Sequence, residues 1–163
     1  MHDWWMSLGL WLENSSVAYA AVNWSLLGDI LTISHFFSFF LVVGTTAAVD
    51  LRLLGLVARD HSASQLAEQL FPWTGLLWGT AVLSGLMMFV PSATTFFNSS
   101  FFFIKLLVTV LATAFVPFIQ WNVRKWDQSG AIPALAKLMA AVSLMLWIGA
   151  ILGGTHVPVQ TCQ

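Results

Sequence analysis

Three side chains in this sequence combine a titratable or metal-ligating group with a position in or beside an apolar stretch. His35 and His156 carry imidazoles, and Lys105 carries an ammonium group. A neutral imidazole is a common axial ligand of haem iron and of other transition metals. A lysine can pair with an anion such as a haem propionate. These three residues are therefore the candidates for cofactor chemistry.

Four hypotheses account for these residues. In the first, the chain holds a b-type haem with His35 as one ligand, His156 as the candidate second ligand and Lys105 as the charge partner. Covalent c-type attachment is excluded because the sequence has no C-x-x-C-H. The second is a copper or other transition-metal site at His35 and His156. The third is a quinol pocket in which His35 is the hydrogen-bond partner or proton acceptor. The fourth is structural: His35 bonds a neighbouring helix, Lys105 extends to lipid headgroups and His156 caps a helix.

The composition identifies the surroundings of these groups. The chain has 163 residues, of which 58% are hydrophobic and 8% charged, with a formal net charge of −1. Soluble domains carry about 25% charged residues, so this chain lacks an ordinary water-facing surface. It also lacks the basic surface of a nucleic-acid binder. No nucleophile–base pair or phosphate-binding loop occurs, so catalysis by the chain alone is not expected. We predict that the chain is embedded in a lipid bilayer.

Four apolar stretches are long enough to cross about 30 Å of hydrocarbon. They cover residues 27–57, 72–90, 101–122 and 133–156. Pro72 and Pro133 stand where the first turn of a helix tolerates proline, and Ser62–Leu70 could form a separate short helix. Short connections favour antiparallel neighbours. The predicted fold is therefore an all-α integral membrane protein, an up-down four-helix transmembrane bundle forming one domain over residues 1–163.

The basic residues indicate the orientation of the bundle. Five of the six lie in or beside the first and third connections, namely Arg52, Arg59, Arg124, Lys125 and Lys137. The positive-inside rule makes these connections cytoplasmic. Both termini are then on the outer, periplasmic side of a bacterial inner membrane. Asp50, with Arg52, Arg124 and Lys125, is interpreted as a boundary group that anchors the inner end and forms ion pairs there.

The titratable candidates gather at the outer end of this bundle. If Arg52 marks the inner boundary, His35 lies about 25 Å above it at 1.5 Å per residue. Lys105 is about 6 Å deep in a span that begins outside. His156 ends the fourth span on the same side, and Asp29 begins the first span there. The sequence thus predicts an outer cluster of four ionisable groups from three helices.

Small and polar residues recur at helical spacing on the spans. The stripes are His35, Ser38, Val42, Thr45, Thr46 and Val49; Lys105, Thr109, Thr113 and Gln120; and Ala136, Ala140, Ser143, Trp147, Ala150 and Gly154. Gly75 and Gly79 form a GxxxG. We interpret these as faces on which helices pack closely. Pro117 is expected to kink the third span.

The N-terminal segment is predicted to lie on the membrane surface. Apolar residues fall at helical spacing within Asp3–Glu13, and three of them are tryptophans. We predict an amphipathic interfacial helix with its tryptophans at headgroup depth. The alternative is a docking surface for a partner subunit. His2 and His61 are expected to be solvated, and the role of the single thiol, Cys162, is left open.

The runs that carry the candidate residues resemble a known group of proteins. SHFFSFFLVVGTTAAVDLRLLGL from Ser34, FPWTG from Phe71 and FFNSSFFFIKLLV from Phe96 resemble a family of small bacterial four-span membrane proteins of unknown function. The likeness extends from Trp11 to Gly153, and a weaker one joins the chain to CopD-like copper-resistance membrane domains. The resemblance implies that His35, Asp50, Arg52 and Lys105 occupy characteristic polar positions of the family.

We therefore predict a small membrane subunit of a bacterial redox or electron-transfer complex. It would hold a b-type haem, or border a quinol site, at its outer face, and would contact other membrane or periplasmic subunits. The alternatives are a non-catalytic accessory subunit that stabilises a larger complex, and a membrane protein that handles copper or another metal ion.

Overall fold

A computed structural model describes residues 3–58, 60–128 and 132–154, and all of the regular structure in these ranges is helical. The helices are α1 (Asp3–Glu13), α2 (Ser16–Asn23), α3 (Ser25–Leu53), α4 (Ala63–Phe89), α5 (Ala93–Phe97), α6 (Ser100–Gln128) and α7 (Ala134–Gly154). A single 3₁₀ turn, Val90–Ser92, joins α4 to α5. Four of these helices, α3, α4, α6 and α7, are long and apolar enough to cross a membrane. The chain therefore has the character of a multi-pass membrane protein.

Local sequence signals explain where α3 ends. Gly55 adopts a φ of +77°, a conformation that glycine reaches without the steric cost of a Cβ. Its N–H donates to the Arg52 carbonyl at 3.0 Å, and the Leu56 N–H donates to the Leu51 carbonyl at 2.9 Å. This pair of bonds is a Schellman motif, which satisfies carbonyls that the helix end leaves without partners. Hence α3 stops at Leu53, a turn before the apolar stretch itself ends.

The second long helix begins earlier than its apolar stretch. The Ser62 hydroxyl accepts from the Gln65 N–H at 3.1 Å, and the Gln65 side chain accepts from the Ser62 N–H at 3.3 Å. This capping box starts α4 at Ala63. The segment predicted as a separate short helix is thus the first part of α4. Pro72 lies inside the helix rather than in its first turn.

A hydrogen bond connects the C-terminal end of α6 to the N-terminal end of α4. The Asp127 carboxylate, in the last turn of α6, accepts from the Ser64 N–H at 2.6 Å. An acid at the N-terminus of a helix satisfies a donor that has no partner in the helix and complements the helix dipole. The α6 helix runs on past residue 122, where the third apolar stretch ends, and Pro117 lies within it.

The four long helices pack through small residues. The α3 helix contacts α4 and α7, and α6 contacts α7 and α4. One cluster contains Leu53, Ala63, Ala67, Ile119, Val123, Trp126, Ala136 and Ala140; another contains Val42, Ala112, Trp147 and Ala150. Most large apolar side chains point outward instead. Alanines where the helices meet, with most of the large apolar side chains outside, are the arrangement expected when lipid surrounds the helices.

The glycines of α4 do not pack where the sequence predicted. A Cβ built on Gly75 or Gly79 would have no neighbouring atom within 4 Å. The GxxxG is therefore not a close-contact face within this chain. At Gly85, one turn or more further along, a Cβ would lie 2.8 Å from His35 Cε1. Spacing alone did not reveal which side of α4 meets a neighbouring helix.

The N-terminal helix is attached to α5. Glu13 Oε1 accepts from the Thr94 N–H at 2.8 Å and from the Thr94 hydroxyl at 2.6 Å. A Cβ on Gly9 would lie 2.9 Å from Thr94 Cγ2, so only glycine permits this approach. Trp4 and Trp11 remain exposed on the other side of α1. We call this end of the molecule, with α1, α2 and α5, the α5 end; the opposite end, with the α3–α4 turn, is the Gly55 end.

Candidate functional sites

The side chain of His35 is held by the neighbouring helix α4. His35 Nδ1 is 2.8 Å from the Ala81 carbonyl oxygen and 3.5 Å from the Ser84 hydroxyl. A carbonyl only accepts, so Nδ1 carries the proton in this bond. The imidazole lies over Gly85, where a Cβ would approach its Nδ1 to 3.0 Å. We call Ala81, Ser84 and Gly85 the His35 seat, since their small size makes room for the ring.

The seat selects one tautomer of the imidazole. With its proton on Nδ1, neutral His35 keeps a lone pair on Nε2. Histidines that bind metals commonly donate their other N–H to a backbone carbonyl in this way. The bond to Ala81 is also the interhelical hydrogen bond of the structural hypothesis. The geometry of His35 is therefore compatible with ligation of a metal or haem iron and with a purely structural role.

Lys105 lies against the last turn of α7. A Cβ built on Gly153 would lie 3.5 Å from Lys105 Cβ, and one built on Gly154 would lie 3.9 Å from Lys105 Nζ. The carboxyl end of a helix carries partial negative charge, so a cation is favourable there. Lys105 and His35 both belong to the half of the helices nearer the α5 end, but they contact different helices, α7 and α4 respectively. Asp29 is exposed on α3.

The second histidine of the predicted cluster, His156, lies outside the described residues, as do His2 and Cys162. Within the described part of the chain, no group of three or more His, Cys, Asp or Glu side chains could hold a metal ion. The two-histidine site therefore stays a prediction that depends on His156.

The predicted boundary group at the Gly55 end is separated in the structure. Arg124 Nε pairs with Glu68 Oε1 at 2.8 Å, and Arg52 Nε donates to the His61 carbonyl at 2.6 Å. Asp50 is 1% exposed. Asp50 is therefore a buried interior residue and not a partner in boundary ion pairs. The interpretation of Asp50 as an anchor was wrong.

Asp50 lines a small cavity between the four long helices. The cavity has a volume of about 30 Å³. Its polar lining consists of Thr45, Thr46 and Asp50 from α3, Thr74 from α4, Gln120 from α6 and Ser143 from α7. Three buried oxygens among these residues, Asp50 Oδ2, Gln120 Oε1 and Ser143 Oγ, have no hydrogen-bond partner. We call this the Asp50 cavity.

The sequence contained a signal for this site. The polar stripe of α3 was predicted to face the other helices, and Ser38, Val42 and Thr46 are indeed buried. Asp50 follows Thr46 by four residues and so continues the same face. The α7 stripe is also confirmed as a packing face, because all of its members from Ala136 to Ala150 are buried. What spacing could not supply was the meeting of Asp50 with Gln120 and Ser143.

Comparison with known proteins gives one match. Residues 9–159 match a family described as a family of unknown function (DUF6644). No curated protein and no solved structure matches the chain.

Proposed function

The chain belongs to the DUF6644 family, whose function is unknown, and we propose that it is a small membrane subunit of a redox complex in which His35 ligates a b-type haem. The observation that carries the proposal is the bond from His35 Nδ1 to the Ala81 carbonyl. It holds the ring against α4 and directs the proton away from Nε2. His35 would supply that nitrogen to the iron. A haem bound there would supply one-electron transfer, the chemistry of such a subunit.

The proposed topology is up-down-up-down across the membrane. Thr45 bonds Thr74 and His35 bonds Ala81, so moving back along α3 corresponds to moving forward along α4. Such pairing supports antiparallel neighbours. We further propose that the Gly55 end is cytoplasmic, because Arg52 and the Arg124–Lys125 pair are found there. The α5 end and both termini would then face the periplasm of a bacterial inner membrane, with α1 in the outer interface.

Two further residues complete the proposed haem site. Lys105, in the same half of the helices as His35, would pair with a propionate. Its ammonium lies beside the last turn of α7, and its positive charge is what would attract the propionate. His156, two residues beyond the end of α7, is the proposed second ligand. The chain would be a partner of other membrane or periplasmic subunits rather than a catalyst on its own.

A quinol site bordered by His35 is the second candidate. The observation that favours it is the exposed apolar surface next to the histidine. Phe36 contacts the imidazole edge-on, with ring centroids 5.8 Å apart, and both Phe36 and Phe37 are exposed on the outside of α3. A quinol arriving through the lipid would meet this surface. His35 Nε2 would then accept a hydrogen bond from the quinol hydroxyl.

Absorbance of the full-length protein tests the haem proposal. The protein, purified in mild detergent from cells supplied with a haem precursor, should show a Soret band that shifts on reduction. His35→Ala should abolish the band. His61→Ala is the matched control, because His61 is exposed on the α3–α4 turn. Elemental analysis in parallel would detect copper or another metal that falls with His35→Ala.

The outcomes separate the candidate functions. A Soret band lost only in His35→Ala supports the haem. Absence of a band, with lipid-soluble quinone extracted from wild type but not from His35→Ala, favours the quinol site. A metal without haem favours the copper-handling alternative. If none of these is found and the chain co-purifies only with larger partners, the redox proposal is overturned and the accessory-subunit alternative is supported.

A further inference from the structure

The Asp50 cavity combines deeply buried polar side chains with a space large enough for a water molecule. Asp50 and Ser143 are each 1% exposed, and with Gln120 they turn three oxygens without partners toward a space of about 30 Å³. A cavity needs roughly 10–15 Å³ of such volume, and two to four polar partners, to hold a water molecule. This cavity meets both conditions. It is independent of the His35 seat, which contacts a different part of α4.

The hydrogen bonds around the cavity leave it rich in acceptors. The threonine hydroxyls that line it already donate elsewhere: Thr46 to the Val42 carbonyl at 2.8 Å, and Thr74 to the Thr45 hydroxyl at 2.8 Å. Thr45 in turn bonds a carbonyl of its own helix. Among the lining hydroxyls, only that of Ser143 keeps its proton uncommitted. The Ser143 hydroxyl and the Gln120 amide are the donors that remain in the lining, and neither bonds Asp50 Oδ2.

No cation of the lining offsets the charge of Asp50. The lining residues of α4 are Ala67, Leu70, Phe71 and Thr74, those of α6 are Val116, Ile119 and Gln120, and that of α7 is Ser143. Among the residues that the structure describes, Asp50 is thus the one ionisable side chain that lines the cavity. Arg52, its nearest basic neighbour in sequence, donates to the α3–α4 turn instead. An ionised carboxylate buried without a partner is strongly unfavourable, so the surroundings of Asp50 favour its neutral form.

We propose that Asp50, Gln120 and Ser143 form an intramembrane binding site for one proton and one water molecule. The proton adds to a carboxylate oxygen of Asp50, which becomes a neutral donor. The water accepts from Ser143 and donates to the oxygens that remain. Three free oxygens are enough partners for a water molecule, whereas a hard cation such as Ca²⁺ or Mg²⁺ takes about six or more ligands.

Infrared difference spectroscopy of the full chain in lipid nanodiscs tests this proposal. At neutral pH the wild-type protein should show a C=O stretch of a protonated carboxylic acid that shifts in D₂O. Asp50→Asn should abolish this band. Asp29→Asn, which changes an exposed aspartate of the same helix, should leave it intact. Ser143→Ala should keep the band but change its frequency, because the hydrogen-bonding partner of the site is altered.

The alternatives give different results. If no protonated-acid band is present in wild type at neutral pH, Asp50 is ionised and the proposal is overturned. Thermal stability that rises with added Na⁺ in wild type, but not in Asp50→Asn, would then assign the cavity to a monovalent cation instead. If Asp50→Asn does not fold, Ser143→Ala decides: a frequency identical to wild type overturns the site, and a shifted one supports it. The Soret experiment on His35 has no bearing on these results.

Discussion

Replacing Gly85 with alanine should destabilise the protein through its contact with His35. The new Cβ would lie 2.8 Å from Cε1 and 3.0 Å from Nδ1 of the imidazole. The ring cannot simply retreat, because the bond from Nδ1 to the Ala81 carbonyl, 2.8 Å long, holds it against α4. The two helices must therefore move apart, and the hydrogen bond is lost as they do.

The magnitude follows from three contributions. Overpacking costs about 1–3 kcal/mol, and loss of the hydrogen bond about 0.5–1.5 kcal/mol. Better helix propensity returns about 0.5–1 kcal/mol for glycine to alanine. The net destabilisation is about 0.5–4 kcal/mol, centred near 2 kcal/mol. At roughly 2–4 °C per kcal/mol for a chain of this size, that central value lowers Tm in detergent by about 4–8 °C.

Two comparisons isolate the cause. Gly79→Ala, on the same helix but with no atom within 4 Å of its Cβ, should leave Tm unchanged or raise it. In a His35→Ala background the obstruction is gone, so Gly85→Ala should become neutral or stabilising. A double-mutant cycle then gives a coupling energy. Equal effects of Gly85→Ala and Gly79→Ala, or an equal loss of Tm in both backgrounds, would refute the proposed packing of His35.

Three further substitutions test other contacts. Gly9→Ala should loosen the attachment of α1, because the new Cβ would lie 2.9 Å from Thr94 Cγ2. Hydrogen exchange of the α1 amides should then accelerate. The control Gly28→Ala, whose Cβ would have its nearest atom at 3.5 Å, should leave this exchange rate unchanged. Arg124→Gln should cost less than about 1 kcal/mol, since 69% of the arginine side chain is exposed; a Tm loss as large as that of Gly85→Ala would contradict this. Trp147→Ala should cost about 3–5 kcal/mol. Trp147→Phe should cost much less, because phenylalanine keeps most of the packing and removes the buried Nε1–H, which has no partner among the described residues; a similar loss of Tm in both variants would contradict this.

Much of the secondary structure was readable from local patterns. The four apolar stretches gave four long helices, because backbone groups surrounded by apolar side chains satisfy one another within a helix. The ends were less accurate. Ser62 and Gln65 start α4 well before the apolar stretch, and Gly55 stops α3 before its stretch is complete. These are capping signals that hydrophobicity does not contain.

The candidate sites, like the helices, were predictable from the sequence only in part. His35, Asp50 and Lys105 could be placed within apolar helices from the sequence, and the four-residue spacing of Thr46 and Asp50 is a signal that both lie on one face of α3. The partners of these side chains, in contrast, depend on how the helices pack. Residues two apart on a helix do not face each other, so once Asp50 turns inward, Arg52 turns away from it. Asp50 then meets Gln120 and Ser143, which are far along the chain and come together only because the helices pack against one another. Helical periodicity fixes the direction of a side chain relative to its own helix; the choice of neighbouring helix is made by packing.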